Sequence, residues 1–232
     1  LGAPVEFKPR DTFPLVTEML GGGLFNLPAG AWTDDTAMAL CLRDSLQHDP
    51  DLDLRDLLDR FCRWLEFGEN SSTGTAVGVG QNTLRSLGAY RRTGQTRASE
   101  RHQRSDGNGA IMRLAPIPMM HWQDPVKARR LSRLQSEATH ASELSAACCE
   151  LLSKIVCELI AGRPWNDVMR RDADEAWPDE VKMLAAGEWR SKNRDQILSS
   201  GYVVHTLEAA LWCVKQSHSF ESALVVAVNL GD

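Results

Sequence analysis

A chain of 232 residues that is 43% hydrophobic and 25% charged is long enough for one sizeable core, and nothing in its composition marks a second domain. A net charge of −5 argues against a surface that coats nucleic acid, and no signal peptide or apolar run of membrane-spanning length is visible. The six cysteines, Cys41, Cys62, Cys148, Cys149, Cys157 and Cys213, sit among apolar residues without a C-x-x-C pair or zinc spacing. They read as buried thiols of a reducing compartment, so a cytoplasmic protein is expected.

Taken in chain order, residues 1–30 carry no helical period. Gly21-Gly22-Gly23 opens a glycine-rich stretch reaching Gly30, which reads either as a lid or as a plain flexible turn. Trp32-Thr33-Asp34-Asp35-Thr36-Ala37-Met38 then places a hydroxyl and two adjacent carboxylates at the start of an apolar helix. Asp gains from the free N–H groups and macrodipole at a helix start, but two side by side repel. Simple capping is one reading; an oxygen-only ligand set for a hard divalent cation is the other. His48-Asp49, before Pro50, reads as a helix exit rather than part of a His-Asp metal site.

Leu54, Leu57, Leu58, Phe61 and Leu65 recur at helical spacing, with Arg55, Asp56, Asp59, Arg60 and Arg63 on the opposite face. Further helices are predicted over 75–92, 124–135, 179–186, 202–216 and 220–229. A long central one is predicted over 140–161, ending at Gly162 with Pro164 behind it. Arg97, Arg101, His102 and Arg104 form a basic stretch that either meets phosphate or is solvated surface. In Ser105-Asp106-Gly107-Asn108-Gly109-Ala110-Ile111-Met112-Arg113, small residues open a helix-like apolar segment, a pattern suited to an anion or sugar lying on backbone N–H groups. Residues 164–193 read as a helix and loops. The fold class is therefore all-α, in a single multi-helix domain over 1–232.

Six blocks, in order, resemble the ADP-ribosylglycohydrolases, the group that includes the dinitrogenase reductase-activating glycohydrolase and is related to jellyfish crystallins. They are Leu1-Gly2-Ala3-Pro4-Val5-Glu6-Phe7, the Trp32 to Met38 block, Gly68-Glu69-Asn70-Ser71-Ser72-Thr73-Gly74, Gly107-Asn108-Gly109-Ala110-Ile111-Met112-Arg113, Thr139-His140-Ala141-Ser142 and Ser200-Gly201-Tyr202-Val203-Val204. The resemblance implies a compact helical domain with two Mg²⁺ or Mn²⁺ ions at the base of a cleft, cutting the bond between the anomeric carbon of ADP-ribose and its acceptor. It implies that Thr33, Asp34 and Asp35 supply half of the metal ligands. The other half would come from an Asp-x-Asp-Thr motif beginning at Asn229-Leu230-Gly231-Asp232, with Asp232 just before its first ligand. On this comparison both ends of the chain are expected to be cut.

The same resemblance implies that Glu6 orients or activates the attacking water. Ser105, Asp106, Gly107, Asn108 and Gly109 would cradle diphosphate and ribose, and His140 would contact the ribose or phosphate side. Tyr202 either stacks on adenine or is a core-edge aromatic. The chemistry is consistent with these parts, since glycosidic cleavage through an oxocarbenium-like transition state needs a carboxylate near the anomeric carbon and a positioned water. Glu6, flanked by Val5 and Phe7, reads as an exposed carboxylate whose pKa can be tuned for that work. The expected partner is an ADP-ribosylated substrate, with no membrane, no general nucleic-acid binding and a monomeric state. The alternative is an ADP-ribose-binding or crystallin-like protein of the same fold, which would lose Glu6 or the aspartates; this chain keeps all three.

Overall fold

Ser142 Oγ accepts the Ser145 N–H at 3.1 Å, a side-chain cap that starts the longest helix and leaves residues 140 and 141 outside it. The computed structural model describes residues 1–99, 105–169 and 174–231. Within them the chain forms α1 (Asp34–His48), α2 (Leu54–Phe67), α3 (Gln81–Thr93), α4 (Pro116–His121), α5 (Pro125–Glu137), α6 (Glu143–Ile160), α7 (Trp165–Val168), α8 (Asp179–Ala186), α9 (Val203–Lys215) and α10 (Phe220–Val228). No strand occurs among the described residues; two isolated bridges pair Gly22 with Leu27 and Gly107 with Tyr202. The all-α expectation holds, and among the described residues no helix is long and apolar enough to cross a membrane.

α6 is the axis of the packing. It buries Ala146, Ala147, Cys148, Cys149, Leu151, Ile155 and Cys157, and it packs on α4, α5, α7, α8 and α9. The α1–α2 pair adds Met38, Leu42, Leu46, Leu57, Leu58, Phe61 and Trp64 to the same continuous core. All six cysteines are buried and free. The helix exit at His48 is as expected, with Asp49 as the cap and its carboxylate accepting the Asp51 N–H at 2.9 Å.

Two boundaries differ from the periodicity. The helix predicted from residue 75 begins only at Gln81, because Gly78 has φ +81° and Gly80 is the extended N-cap, so the chain turns before it can wind. The segment after Gly107 gives one 3₁₀ turn, Asn108–Ala110, and not a helix. α4 escaped the periodicity reading because its six residues are too short to show a period.

Glu150, on α6, is buried and ties two other segments to that helix. It accepts from Arg133 Nε at 2.5 Å, Arg129 Nη2 at 3.2 Å and the Trp177 indole N–H at 2.8 Å. Glu150→Ala leaves two guanidinium groups short of a partner and a buried indole N–H unsatisfied, which should lower the urea-unfolding free energy by about 2–4 kcal/mol. Glu66→Ala, which breaks an exposed pair with Arg91, should change it by less than about 1 kcal/mol. Equal effects would show that the buried cluster does not secure α5 to α6.

Candidate active site

Thr33 is the N-cap of α1 by backbone conformation, yet its side chain makes no capping hydrogen bond. Its hydroxyl donates to Asp35 Oδ2 at 3.3 Å. The Thr33 side chain therefore does not cap the helix, while the Asp34 carboxylate has a backbone hydrogen bond at the helix start. Asp34 is only 9% exposed, while Asp35 beside it is exposed. No lysine, arginine or histidine pairs with either carboxylate among the described residues. Burial first, and then the charges of Asp35 and Glu6, push the Asp34 pKa up to about 7. The molecule has withdrawn a carboxylate from water beside two others without a basic side chain to balance it.

The loop between α2 and α3 is shaped around this start. The Ser72 hydroxyl accepts the Trp32 N–H at 3.0 Å and donates to the Trp32 carbonyl at 2.8 Å, and the Trp32 indole donates to the Asn70 carbonyl at 3.0 Å. Further along the same loop, Gly78 comes so close that an added Cβ would lie 2.4 Å from Asp34 Oδ1. Gly78 was not singled out from the sequence; the only available signal was the recurrence of glycine at 74, 78 and 80.

Glu6 is carried by a short 3₁₀ turn, Ala3–Val5, and is half-buried rather than exposed, with Val5 buried and Phe7 outside. The glycine triplet supports it. The Gly22 and Leu27 backbones exchange hydrogen bonds of 2.7 and 3.0 Å, and a Cβ on Gly23 would lie 2.6 Å from Pro4 Cα. The stretch is a mostly exposed turn that meets the Ala3–Pro4 backbone at Gly23. Downstream, Arg10 donates to the carbonyls of Leu230 (2.6 Å), Arg194 (2.5 Å) and Ile197 (2.6 Å), while Asn229 exchanges hydrogen bonds with the Val16 backbone. The segment that follows Glu6 thus runs beside residues 229–231.

A second cluster gathers three of the sequence blocks. The Asn108 N–H donates to the Gly201 carbonyl at 3.0 Å, and its side chain donates to Thr206 Oγ1 at 3.1 Å. That N–H is therefore spent within the protein, contrary to the expectation of donors left free for an anion. The Val203 N–H donates to the Asp106 carbonyl at 2.9 Å, and the Ser142 hydroxyl donates to the Asp106 carboxylate at 2.5 Å. Ser105 is buried, with no hydrogen-bond partner for its hydroxyl among the described residues. Gly109 faces His140, since a Cβ there would lie 3.0 Å from the imidazole Cε1. Tyr202 is half-buried; its hydroxyl donates to Glu180 at 2.5 Å and its ring meets His205 edge-on at 4.9 Å. This tether to α8 fits a fixed ring at the edge of the core.

Arg113, fully buried, stands between the clusters. It reaches Met38 Sδ on α1 at 3.9 Å on one side and Thr139 Oγ1, next to His140, at 2.8 Å on the other. Two surface cavities of about 360 and 390 Å³ adjoin the partners of Tyr202, one including Glu180 and the other Ser200 and His205. Neither is lined by Glu6, Asp34 or Asp35. Among the described residues no group of three or more His, Cys, Asp or Glu side chains forms a metal cage. Arg101, His102, Arg104 and Asp232 lie outside the described residues, and Arg97 pairs with Glu137 at 3.4 Å.

A model of the ADP-ribosylglycohydrolase family matches residues 1–232. The chain belongs to the ADP-ribosylglycohydrolase family. Like other members, it is similar to the ADP-ribosylarginine hydrolase Tri1 of Serratia proteamaculans (strain 568), 38% identical over 232 residues that are 100% of this chain and 63% of that protein. It is equally similar to the Tri1 of Pseudomonas putida (strain GB-1), 38% identical over 100% of this chain and 62% of the relative. The ADP-ribosyl-dinitrogen reductase glycohydrolase of Rhodospirillum rubrum is 31% identical over 242 residues, covering 100% of this chain and 74% of its own. A solved structure of an ADP-ribosylglycohydrolase-related protein complex has a TM-score of 0.83 at 34% identity, over 100% of this chain and 76% of that one. The chain thus spans less than two thirds of the Tri1 relatives.

The glycines of the family-like loop offer a direct check on the carboxylate geometry. Gly74 (φ +79°) and Gly78 (φ +81°) share a left-handed backbone, but an added Cβ meets nothing within 4 Å at Gly74 and the Asp34 carboxylate at Gly78. Gly74→Ala should cost about 1–2 kcal/mol from backbone strain alone. Gly78→Ala should cost clearly more in the same chemical-denaturation experiment. Equal losses would contradict the close approach to Asp34.

Proposed function

We propose that this protein is a hydrolase that releases ADP-ribose from a modified acceptor by cleavage at the anomeric carbon of the distal ribose, with Mg²⁺ or Mn²⁺ held at Thr33, Asp34 and Asp35. The observation that carries the reading is the buried Asp34 carboxylate beside Asp35 and Glu6, with no basic side chain paired to it among the described residues. An oxygen-only donor set short of positive charge fits a hard divalent cation, and the glycine approach at Gly78 leaves the Asp34 side chain its place. Such an ion, when bound, would hold ribose hydroxyls and lower the pKa of a coordinated water. Residues 229–231, where the second ligand motif would begin, run beside the segment that follows Glu6, at Arg10 and Val16, which supports a site to which both regions contribute.

The chain's own residues divide the remaining work. The water oxygen bonds to the anomeric carbon as the bond to the acceptor breaks; Glu6 takes the water's proton, and the acceptor leaves with the bonding electron pair and takes up a proton from solvent. Asp106, held by Ser142, and the Gly107-Asn108-Gly109 turn, held by Gly201, position ribose and diphosphate. The unpartnered Ser105 hydroxyl gains a hydrogen bond when substrate oxygen reaches it. Because relatives at 38% identity carry the name ADP-ribosylarginine hydrolase, ADP-ribosylated arginine is the acceptor to test first.

Glu6→Gln keeps the side chain's size and removes its basicity. It should lower single-turnover release of ADP-ribose from ADP-ribosylarginine by on the order of 10² to 10⁴, with ADP-ribose affinity within about threefold of wild type. Unchanged rate and affinity would remove Glu6 from the mechanism. For the cation, the sign follows from Asp34. A folded-state pKa raised to about 7 means that ionising Asp34 costs stability as pH rises from about 4 through 7, and a cation binds the ionised form. Mn²⁺ should therefore raise the melting temperature more at pH 8 than at pH 6, and Asp34→Asn should abolish the gain. An equal Mn²⁺ effect in the variant would contradict the assignment.

A further inference from the structure

His140 lies almost wholly inside the protein, at 2% exposure, next to Thr139 at 1% and within reach of Arg113 at 0%. The guanidinium is clamped by Gln135, whose side-chain oxygen and backbone carbonyl each accept from it at 2.8 Å and whose amide donates to the Ala110 carbonyl at 3.0 Å. Its Nη2 also donates to Thr139 Oγ1 at 2.8 Å, and that oxygen lies 2.8 Å from His140 Nδ1.

Arginine carries donors only, so Thr139 Oγ1 must be the acceptor toward Arg113. A hydroxyl has a single proton, and among the described residues Thr139 Oγ1 has no other acceptor than His140 Nδ1. Were the proton on Nδ1 instead, the threonine hydroxyl would be buried with nothing to donate to, an arrangement native proteins avoid. We infer that Arg113 and Thr139 are positioning residues that hold His140 as the neutral Nε2–H tautomer, so that its ring presents a hydrogen-bond donor to a phosphate or sugar oxygen beside Gly109.

Two further observations agree. Burial, and then the Arg113 charge, lower the His140 pKa to about 3, so the ring is neutral across the physiological range. The Nε2 edge faces Gly109, where a Cβ would lie 3.2 Å from it, and Nε2 has no hydrogen-bond partner among the described residues. In a ring so largely buried, the Nε2 edge is the one left for a ligand oxygen to meet. This role for the donor rests on the proposed ADP-ribose site; the tautomer itself does not.

The test uses the full chain with ¹⁵N-labelled histidine. Long-range proton–nitrogen spectra of the ligand-free wild type and of Thr139→Ser, which keeps the hydroxyl, should show His140 protonated at Nε2 and bare at Nδ1. Thr139→Val removes the acceptor–donor link, so protonated Nδ1 should appear and calorimetric affinity for ADP-ribose should fall about tenfold, against less than threefold for Thr139→Ser. A wild-type spectrum with the proton on Nδ1 overturns the inference, as does a folded Thr139→Val with wild-type tautomer and affinity. If Thr139→Val does not fold, the wild-type and Thr139→Ser spectra decide between the two tautomers. Failure of the wild type to bind ADP-ribose would instead sink the proposed substrate class, while the spectrum still reports on the relay.

Discussion

The centre of this fold is a cation taken wholly out of water. Arg113 has no carboxylate partner among the described residues, and an isolated charge in an apolar interior is costly. It is tolerated because its donors are shared among Gln135, Thr139 and the Met38 sulfur, and because it lies over the Phe61 ring at 4.6 Å. Burial lowers its pKa only to about 10, so it stays charged at neutral pH. Those partners belong to α1, α2, α5 and the loop before α6. One side chain therefore fixes how the α1–α2 pair meets the α5–α6 pair.

That placement couples the two halves of the site. Burial first and then the Arg113 charge keep His140 neutral, while Asp34 is the smallest of the influences on Arg113, whose pKa burial lowers. On the Asp34 side the protein concentrates negative charge on oxygen; on the His140 side it offers the imidazole and the Asn108 amide together with one carboxylate, Asp106, these two residues being held by Ser142, Gly201 and Thr206. A substrate carrying both a sugar diphosphate and hydroxyl groups able to bind a cation matches such a division of charge. The apposition depends on backbone close approach at Gly23 and Gly78, where no side chain larger than hydrogen fits.

What the sequence made legible follows from the range of each interaction. The amphipathic helix at 54–67 and the central helix ending before Gly162 were visible because burial of a helix face is written as a local period. The start of α3 was misplaced because Gly78 answers to Asp34, more than forty residues earlier in the chain, and Gly80 stays extended as the N-cap. Glu6 was expected to be exposed, but its burial comes from the glycine turn folding back on Ala3–Val5. Arg113 and Thr139 stood inside recognisable blocks without a role, since a polar chain through Gln135, Thr139 and His140 has no sequence period. Asp34 and Asp35 were legible as an anomaly, because charge at the start of an apolar helix needs a reason, and the Thr33 side chain makes no capping hydrogen bond there.

Anomalous diffraction from crystals grown with MnCl₂, recorded on both sides of the manganese absorption edge, bears most directly on the claim that this charge deficit is filled by a cation. The account predicts an anomalous peak coordinated by oxygens of Asp34 and Asp35 with the Thr33 hydroxyl adjoining. Crystals that diffract well and show no manganese at those carboxylates, with Asp34 buried and unpaired as before, would contradict it.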